Sequence, residues 1–348
     1  MRAITLLPGV PNSAQLDDIP EPPDSHGSML VRTLMLGVCG TDREIVAGDY
    51  GQAPPGSERL VIGHESYGEV LAVPPGGRFA VGDRIVGIVR RPDPVPCPAC
   101  ASGEWDMCRN GLYTERGVKG LNGFGSERFR IEPSYAIKVD PLLGELAILT
   151  EPTSIVAKAW DHIERIGRRF HSWEPRRLLV TGAGPVGLLA AMIGMQRGYQ
   201  VHVLDRTTDG PKPAMVHDLG AHYHASPLDL IELEADVVIE CTGAPSVIAN
   251  VIGRSAPSGI VCLAGIGGKQ EAPFDMGEFN RTMVLNNDVV FGSVNANRRH
   301  YEMAAAALGR ADQAWLARLI SRRVPLSNWQ EALERRPGDI KVVIDFRL

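Results

Sequence analysis

No stretch of this 348-residue chain is apolar for long enough to cross a bilayer, so a membrane-spanning helix is not expected. Nor is there any run of lysine and arginine: 36 basic side chains stand against 41 acidic ones, a formal charge of −5 that offers nucleic acid no electrostatic footprint. The opening stretch MRAITLLPGVPNSAQ lacks the apolar core and small-residue cleavage site of a secretion signal, and a cytoplasmic protein is expected. Cysteine is sparse, at Cys39, Cys97, Cys100, Cys108, Cys241 and Cys262. Without a secretion signal, such cysteines bind metal or stay reduced more often than they form a disulfide framework. Repeats and low-complexity tracts are missing too. What remains is a folded composition, 44% hydrophobic and 22% charged, in a chain too long for one ordinary core.

The first third is rich in Gly and Pro and carries short runs such as MLVRTLML, VIGHESYGEVLAV, GDRIVGIV and EPSYAIKV, the pattern of an irregular β domain. After Glu151 the pattern changes. TSIVAKAWDHIERIG has helical spacing, and a strand-then-helix rhythm follows through RLLVTGAGPVGLLAAMIGMQRG, VHVLD, DVVIECTG and GIVCLAG, as a parallel sheet with crossover helices requires. The last fifty or so residues are mixed: an alanine-rich helix from Tyr301, a polar helix and a terminal KVVIDF strand. Cys241 and Cys262 fall in the sheet strands and are expected simply to pack there.

Gly182, Gly184 and Gly187 form G-x-G-x-x-G where a strand (Leu178 to Thr181) meets a helix (Pro185 to Arg197), with Pro185 and Val186 opening that helix. The first two glycines allow a tight turn and close approach of a pyrophosphate to backbone N–H groups, and the third lets helix pack on strand. The helix N-terminus adds its partial positive charge. Asp205 ends the next strand, 18 residues past Gly187, where a carboxylate accepts from ribose hydroxyls and repels a 2′-phosphate. Arg206 beside it could pair with that phosphate. NAD is therefore the preferred cofactor, with NADP open.

Cys39, His64, Glu65 and Glu151 supply the thiolate, imidazole and carboxylate types that zinc prefers. Singly each has a plainer reading: a buried small hydrophobe, a satisfied polar residue, or, for Glu151, a cap on the helix it precedes. The segments Gly37-Val-Cys-Gly-Thr-Asp42, Gly63-His-Glu65, Gly82-Asp-Arg84, Glu151-Pro152 and Gly182-Ala-Gly-Pro-Val-Gly187 occur in the order seen in zinc-containing medium-chain dehydrogenases. Through CGTDREIV, VRRP (Val89 to Pro92), ERG (Glu115 to Gly117) and GSVN (Gly292 to Asn295), the chain most closely resembles their glucose dehydrogenase branch.

The resemblance implies an α/β chain with a GroES-like β-rich catalytic domain (1–152), a Rossmann doubly wound parallel-sheet domain (153–294) and a C-terminal return to the catalytic domain (295–348), with zinc in the cleft. It implies that Cys39 and His64 bind the catalytic zinc and that Glu65 and Glu151 complete its sphere, directly or through water. Zinc would lower the pKa of a bound alcohol, giving an alkoxide that passes hydride to nicotinamide. Thr41 is implied to touch substrate or relay the proton, its plainer role being a turn-stabilising hydroxyl. Thr242 and Asn295 are implied at the cofactor, and Glu115 and Asn295 at sugar hydroxyls.

Relatives commonly carry a lobe spaced Cys-x2-Cys-x2-Cys-x7-Cys. Here Cys97, Cys100 and Cys108 match the last three, and Pro94 stands where the first would be. Asp93 could replace the missing ligand, with Asp106 and Glu104 as lesser candidates for a structural zinc; the alternative is a decayed lobe of metal-free thiols. At other inferred sugar positions Val89, Ile155 and Leu285 replace polar residues, so a deoxysugar, cyclitol or otherwise modified sugar is expected in place of glucose. Two further classes share the scaffold: a zinc-free quinone or enone reductase, and a non-catalytic NAD(H)-binding regulator. By resemblance a homodimer or homotetramer is expected, joined at the sheet edge near Val289 to Ser293.

Overall fold

The computed structural model describes residues 1–226, 233–267 and 270–348. The chain divides into two compact units, Met1–Ser154 with Asn295–Leu348, and Ile155–Val294. Among the described residues no helix is long and apolar enough to cross a membrane.

The first unit is built around a seven-stranded sheet whose central strand, Met29–Val38, is long enough to change partners along its length. From Leu30 to Gly37 it pairs with Glu65–Ala72 on one side. On the other, Arg128–Ile131 takes the first half and Lys341–Asp345 the second. This places three strands distant in sequence side by side: Gly37 lies opposite Glu65, and its neighbour Val38 lies opposite Val342. Ile4, Leu36, Ile45, Ile62, Phe124, Phe129 and Ile344 belong to one buried apolar cluster beneath this sheet.

The second unit is a six-stranded, all-parallel sheet in the spatial order His222–His224, Gln200–Leu204, Arg177–Thr181, Ala235–Glu240, Ser255–Leu263 and Val289–Gly292. That order, with the first strand central and the chain crossing outward on either side, is the doubly wound dinucleotide-binding arrangement. The helix Pro185–Gln196 is buried from Gly187 to Gly194, which explains its nearly continuous apolar sequence. Val289–Gly292 is an edge strand of the sheet.

Candidate active site

Cys39 is the N-cap of the helix Gly40–Ala47. Its sulfur accepts from the Thr41 backbone N–H at 3.2 Å, and its own N–H donates to Asp42 Oδ2 at 2.9 Å. His64 follows Gly63, whose φ of 92° is open to glycine at little cost, and Glu65 begins the strand Glu65–Ala72. His64 Nε2 lies 3.1 Å from Cys39 Sγ, and the ligand atoms of Cys39, His64 and Glu65 all lie within 4.8 Å of one another. Asp42 Oδ1 stands 3.3 Å from His64 Nδ1, so one carboxylate orients both the thiol-bearing turn and the imidazole. The donor set and its convergence fit zinc.

Glu151, second residue of the helix Thr150–Gly167, is also buried but stands outside that tight trio. Its burial pushes its carboxyl up to about 7, opposed by His64 and reinforced by the Glu65 carboxylate.

Lys341 completes this region. Its ammonium donates to both oxygens of Glu65 at 2.6 Å, with both side chains 2% exposed, and approaches Val38 O at 3.4 Å. The geometry depends on Gly37: a Cβ there would overlap Glu65 Oε2. The lysine thus gives this buried carboxyl a counter-charge beside the other two metal donors.

Glu115 is fixed close by. Arg90 Nε and Nη2 donate to its Oε1 at 3.1 and 2.9 Å, and Asn295 Nδ2 donates to the same oxygen at 2.6 Å. Arg90 also lies 3.7 Å from the centroid of the Tyr113 ring. Two residues on, Gly117 has φ of 71°, and a Cβ on it would collide with the Gly63 backbone, so the Glu115–Gly117 turn packs directly against the segment that presents His64. Val89 is buried, with its N–H 3.3 Å from the Tyr301 hydroxyl.

In the thiol lobe, the sulfurs of Cys97, Cys100 and Cys108 come within 4.8 Å of one another and form no disulfide. Backbone N–H groups, first that of Arg109, draw the Cys97 thiol down to about 6, while burial pushes Cys100 up to about 11. Asp93 is not in that trio. Its backbone N–H bonds the Cys100 sulfur, its Oδ1 accepts from Val95 N–H, and its Oδ2 is buried with no hydrogen-bond partner. Three convergent thiols form the larger part of a donor set that suits zinc, and the buried, unpartnered Asp93 oxygen is an oxygen donor on the same loop.

In the second unit Gly182 has φ of 89°, a Cβ on Gly187 would overlap Gly182 O, and a Cβ on Gly184 would meet nothing within 4 Å. Gly187 is therefore a packing glycine, whereas Gly184 faces open space at the head of a helix with no side-chain cap. Asp205 accepts from Ala183 N–H at 2.7 Å through Oδ2 and from Thr207 N–H at 3.0 Å through Oδ1. Lys212, unremarked in the sequence, lies 3.1 Å from Oδ2, and Arg206 is exposed. At the end of the strand Ala235–Glu240, Glu240 accepts from the Thr242 and Gly243 N–H groups and from the Thr181 and Thr242 hydroxyls, which fixes the turn bearing Thr242.

Residues 25–141 match the model of the alcohol dehydrogenase GroES-like domain, and residues 144–346 match that of the glucose dehydrogenase C-terminus. The chain is 41% identical to a glucose 1-dehydrogenase of Vulcanisaeta moutnovskia, over 99% of each chain. It is also 41% identical to the glucose 1-dehydrogenase of Thermoproteus tenax, over 100% of each. The chain belongs to the zinc-containing medium-chain dehydrogenases, in their glucose dehydrogenase branch. Its fold superposes on the Haloferax mediterranei glucose dehydrogenase in complex with NADP, Zn and gluconolactone with a TM-score of 0.91, at 33% identity and 99% coverage of each chain.

As a member of this family the dehydrogenase is an NAD(P)-dependent oxidoreductase acting on CH–OH groups. Its motifs singled out Cys39, His64, Glu65, Glu115 and Asn295, but not Lys341 or the pairing of Arg90 with Glu115. Lys341 carried one usable signal: a lysine heading an otherwise apolar strand, KVVID, needs a buried counter-charge. Arg90 lies within the VRRP segment that marked the resemblance, but nothing in that segment points to its pairing with Glu115.

Proposed function

We propose that this dehydrogenase is a zinc-dependent sugar 1-dehydrogenase that oxidises the hemiacetal C1–OH of an aldose to the lactone, with NAD or NADP as hydride acceptor. The observation that carries this reading is the state of Glu115. All three of its donors converge on Oε1, and Oε2 has no hydrogen bond among the described residues. A buried carboxyl group with one committed and one open oxygen is an acceptor for a sugar hydroxyl, and Gly117 ties it to the His64 segment.

Zinc, held by Cys39, His64 and Glu65 with Glu151 as a further carboxylate, would supply Lewis-acid activation of the reacting hydroxyl. Thr41, at the start of the helix capped by Cys39, would touch the substrate or take the proton onward. Asn295 shares its amide with Glu115, and its backbone sits at φ of 61°, a conformation asparagine tolerates better than most residues. Gly182, Gly184 and Gly187 would cradle the pyrophosphate, Asp205 and Arg206 the adenosine ribose, and Thr242 the far end of the cofactor. Val89 presents no hydrogen-bonding side chain, which favours a sugar deoxygenated or modified on the face it meets. In the lobe, Cys97, Cys100 and Cys108 would hold a structural zinc with Asp93 supplying oxygen. The functional assembly is a homodimer or homotetramer joined at the edge strand Val289–Gly292.

The test is NAD- and NADP-linked oxidation of glucose, deoxyglucoses and cyclitols, beside zinc per chain. Two zincs with lactone formation support the reading, and Cys100→Ser should then remove one of them. Absence of hydride transfer from any sugar by metal-replete protein would sink it.

A further inference from the structure

Deepening the cofactor side of that reading, and resting on it, we propose that Lys212 sets the cofactor selectivity of this chain: its ammonium neutralises Asp205 when the ribose carries a 2′-hydroxyl and turns to the phosphate when it carries a 2′-phosphate. The starting point is that Asp205 is not a free carboxylate. An acidic residue at this strand end selects NAD in two ways, by accepting from the ribose hydroxyls and by repelling a 2′-phosphate. Here Oδ2 is shared by the Ala183 N–H at 2.7 Å and Lys212 Nζ at 3.1 Å, and Oδ1 is bound by the Thr207 N–H at 3.0 Å. The anchor to Ala183 lies inside the glycine turn, so Asp205 holds the pyrophosphate loop in shape whichever dinucleotide binds.

Its repulsive role is what Lys212 offsets. The ion pair places one positive charge on the carboxylate, and Arg206, the next residue in the chain, is exposed. Lysine is a point charge on a flexible stem, and Lys212 is 22% exposed while the Asp205 side chain is only 9% exposed. The ammonium can therefore swing outward without stripping the carboxylate of its two backbone donors. The segment that carries these groups is itself held: the Tyr223 hydroxyl donates to Thr207 O at 2.5 Å, and Asp205 N–H donates to His224 O at 3.0 Å. A 2′-phosphate at this corner would meet Lys212, Arg206 and an ordered turn, an arrangement suited to a dianion.

The experiment is fluorescence titration of the full-length protein with NADPH and NADH, for wild type, Lys212→Met and Lys212→Arg. The ratio Kd(NADPH)/Kd(NADH) should rise about tenfold or more in Lys212→Met, as loss of a charge-assisted contact requires, and stay within about threefold of wild type in Lys212→Arg. Added salt should weaken NADPH binding more steeply in wild type than in Lys212→Met. A Lys212→Met ratio within about threefold of wild type, or both constants rising in parallel, overturns the proposal by making Lys212 a merely structural partner of Asp205. Binding is read without turnover, so a chain that binds both dinucleotides but oxidises no sugar would refute the sugar dehydrogenase reading and leave this one standing. A wild type that binds neither overturns both.

Discussion

The two units make their sites from different materials. In the first, side chains meet across long stretches of sequence: Lys341 reaches Glu65 over 276 residues and Asn295 reaches Glu115 over 180. In the second, the site is mostly backbone: a turn of three glycines, a helix N-terminus, and an aspartate that bonds a peptide N–H only 22 residues away. The difference follows from the two tasks. A divalent ion and a sugar hydroxyl need charged side chains placed in three dimensions, whereas a pyrophosphate is recognised by N–H groups that every residue carries. The first unit should therefore fail when a side chain is removed, and the second when one is added.

The largest effect expected is on chemistry in the first unit. His64→Ala should reduce oxidation to background and lower zinc by one per chain, while NADH titration shows the second unit still binding. Ordinary turnover by this variant would break the assignment of the metal centre.

Next comes Lys341→Met, which leaves Glu65 buried and without its cationic partner. Removing one partner of a buried ion pair costs about 3–5 kcal/mol, and disturbing a residue that orients a metal ligand costs about 10–100-fold in activity or metal affinity. Denaturant unfolding and kcat together would test this. A variant as stable and active as wild type would show that Glu65 is held by the metal alone. Gly37→Ala should damage the same contact from the opposite side, because the added methyl overlaps the Glu65 carboxylate.

This asymmetry also explains what could be read without coordinates. The doubly wound sheet was legible because its signals are local: the glycine turn lies at a strand–helix junction and Asp205 ends the next strand. Cys39 and the Gly63-His64-Glu65 segment were legible as motifs. Their supporting cast was not. Lys341 lies beside Glu65 only because Met29–Val38 pairs with Glu65–Ala72 on one side and Lys341–Asp345 on the other, a register that no local pattern encodes. Lys212 was missed for the same reason, and Arg90 lay inside the VRRP segment without its pairing to Glu115 being readable there, since the meaning of both charges lies in their partners. Glu151 and Asp93 show the converse: sequence proposes them as ligands, and the structure puts both outside the tight trios they would join.

A smaller effect separates two glycines of the second unit. At Gly184 a methyl would meet no protein atom within 4 Å, and the backbone there is extended, so Gly184→Ala should keep the thermal midpoint. The methyl would instead occupy space that the pyrophosphate needs, and dinucleotide Kd should rise about tenfold or more. Gly187→Ala should do the reverse, costing stability first because its methyl overlaps the Gly182 carbonyl. Equal losses of stability in the two variants would remove the distinction.

The smallest effect tests whether the second unit contains any side-chain electrostatics of its own away from the dinucleotide. His202 stacks against His222 and His224, with ring centroids 4.8 and 5.1 Å away, and its Nδ1 lies 2.9 Å from His224 Nε2. Burial, then the two neighbouring imidazoles, then Arg177 lower its pKa to about 4, below the ordinary value of 6.5. Because the folded value is the lower one, the unfolded chain binds the extra proton between those limits. The stabilising contribution of neutral His202 is thus complete above pH 6.5 and is lost as the pH falls towards 4. Partial exposure screens the effect, so a modest drop in the midpoint of the second unit's transition is expected between neutral and mildly acidic pH. His202→Phe should flatten that drop while keeping the stack. An unchanged acid response in this variant would mean that His202 is not the source of the acid sensitivity, leaving the dinucleotide corner as the unit's one place of side-chain electrostatics.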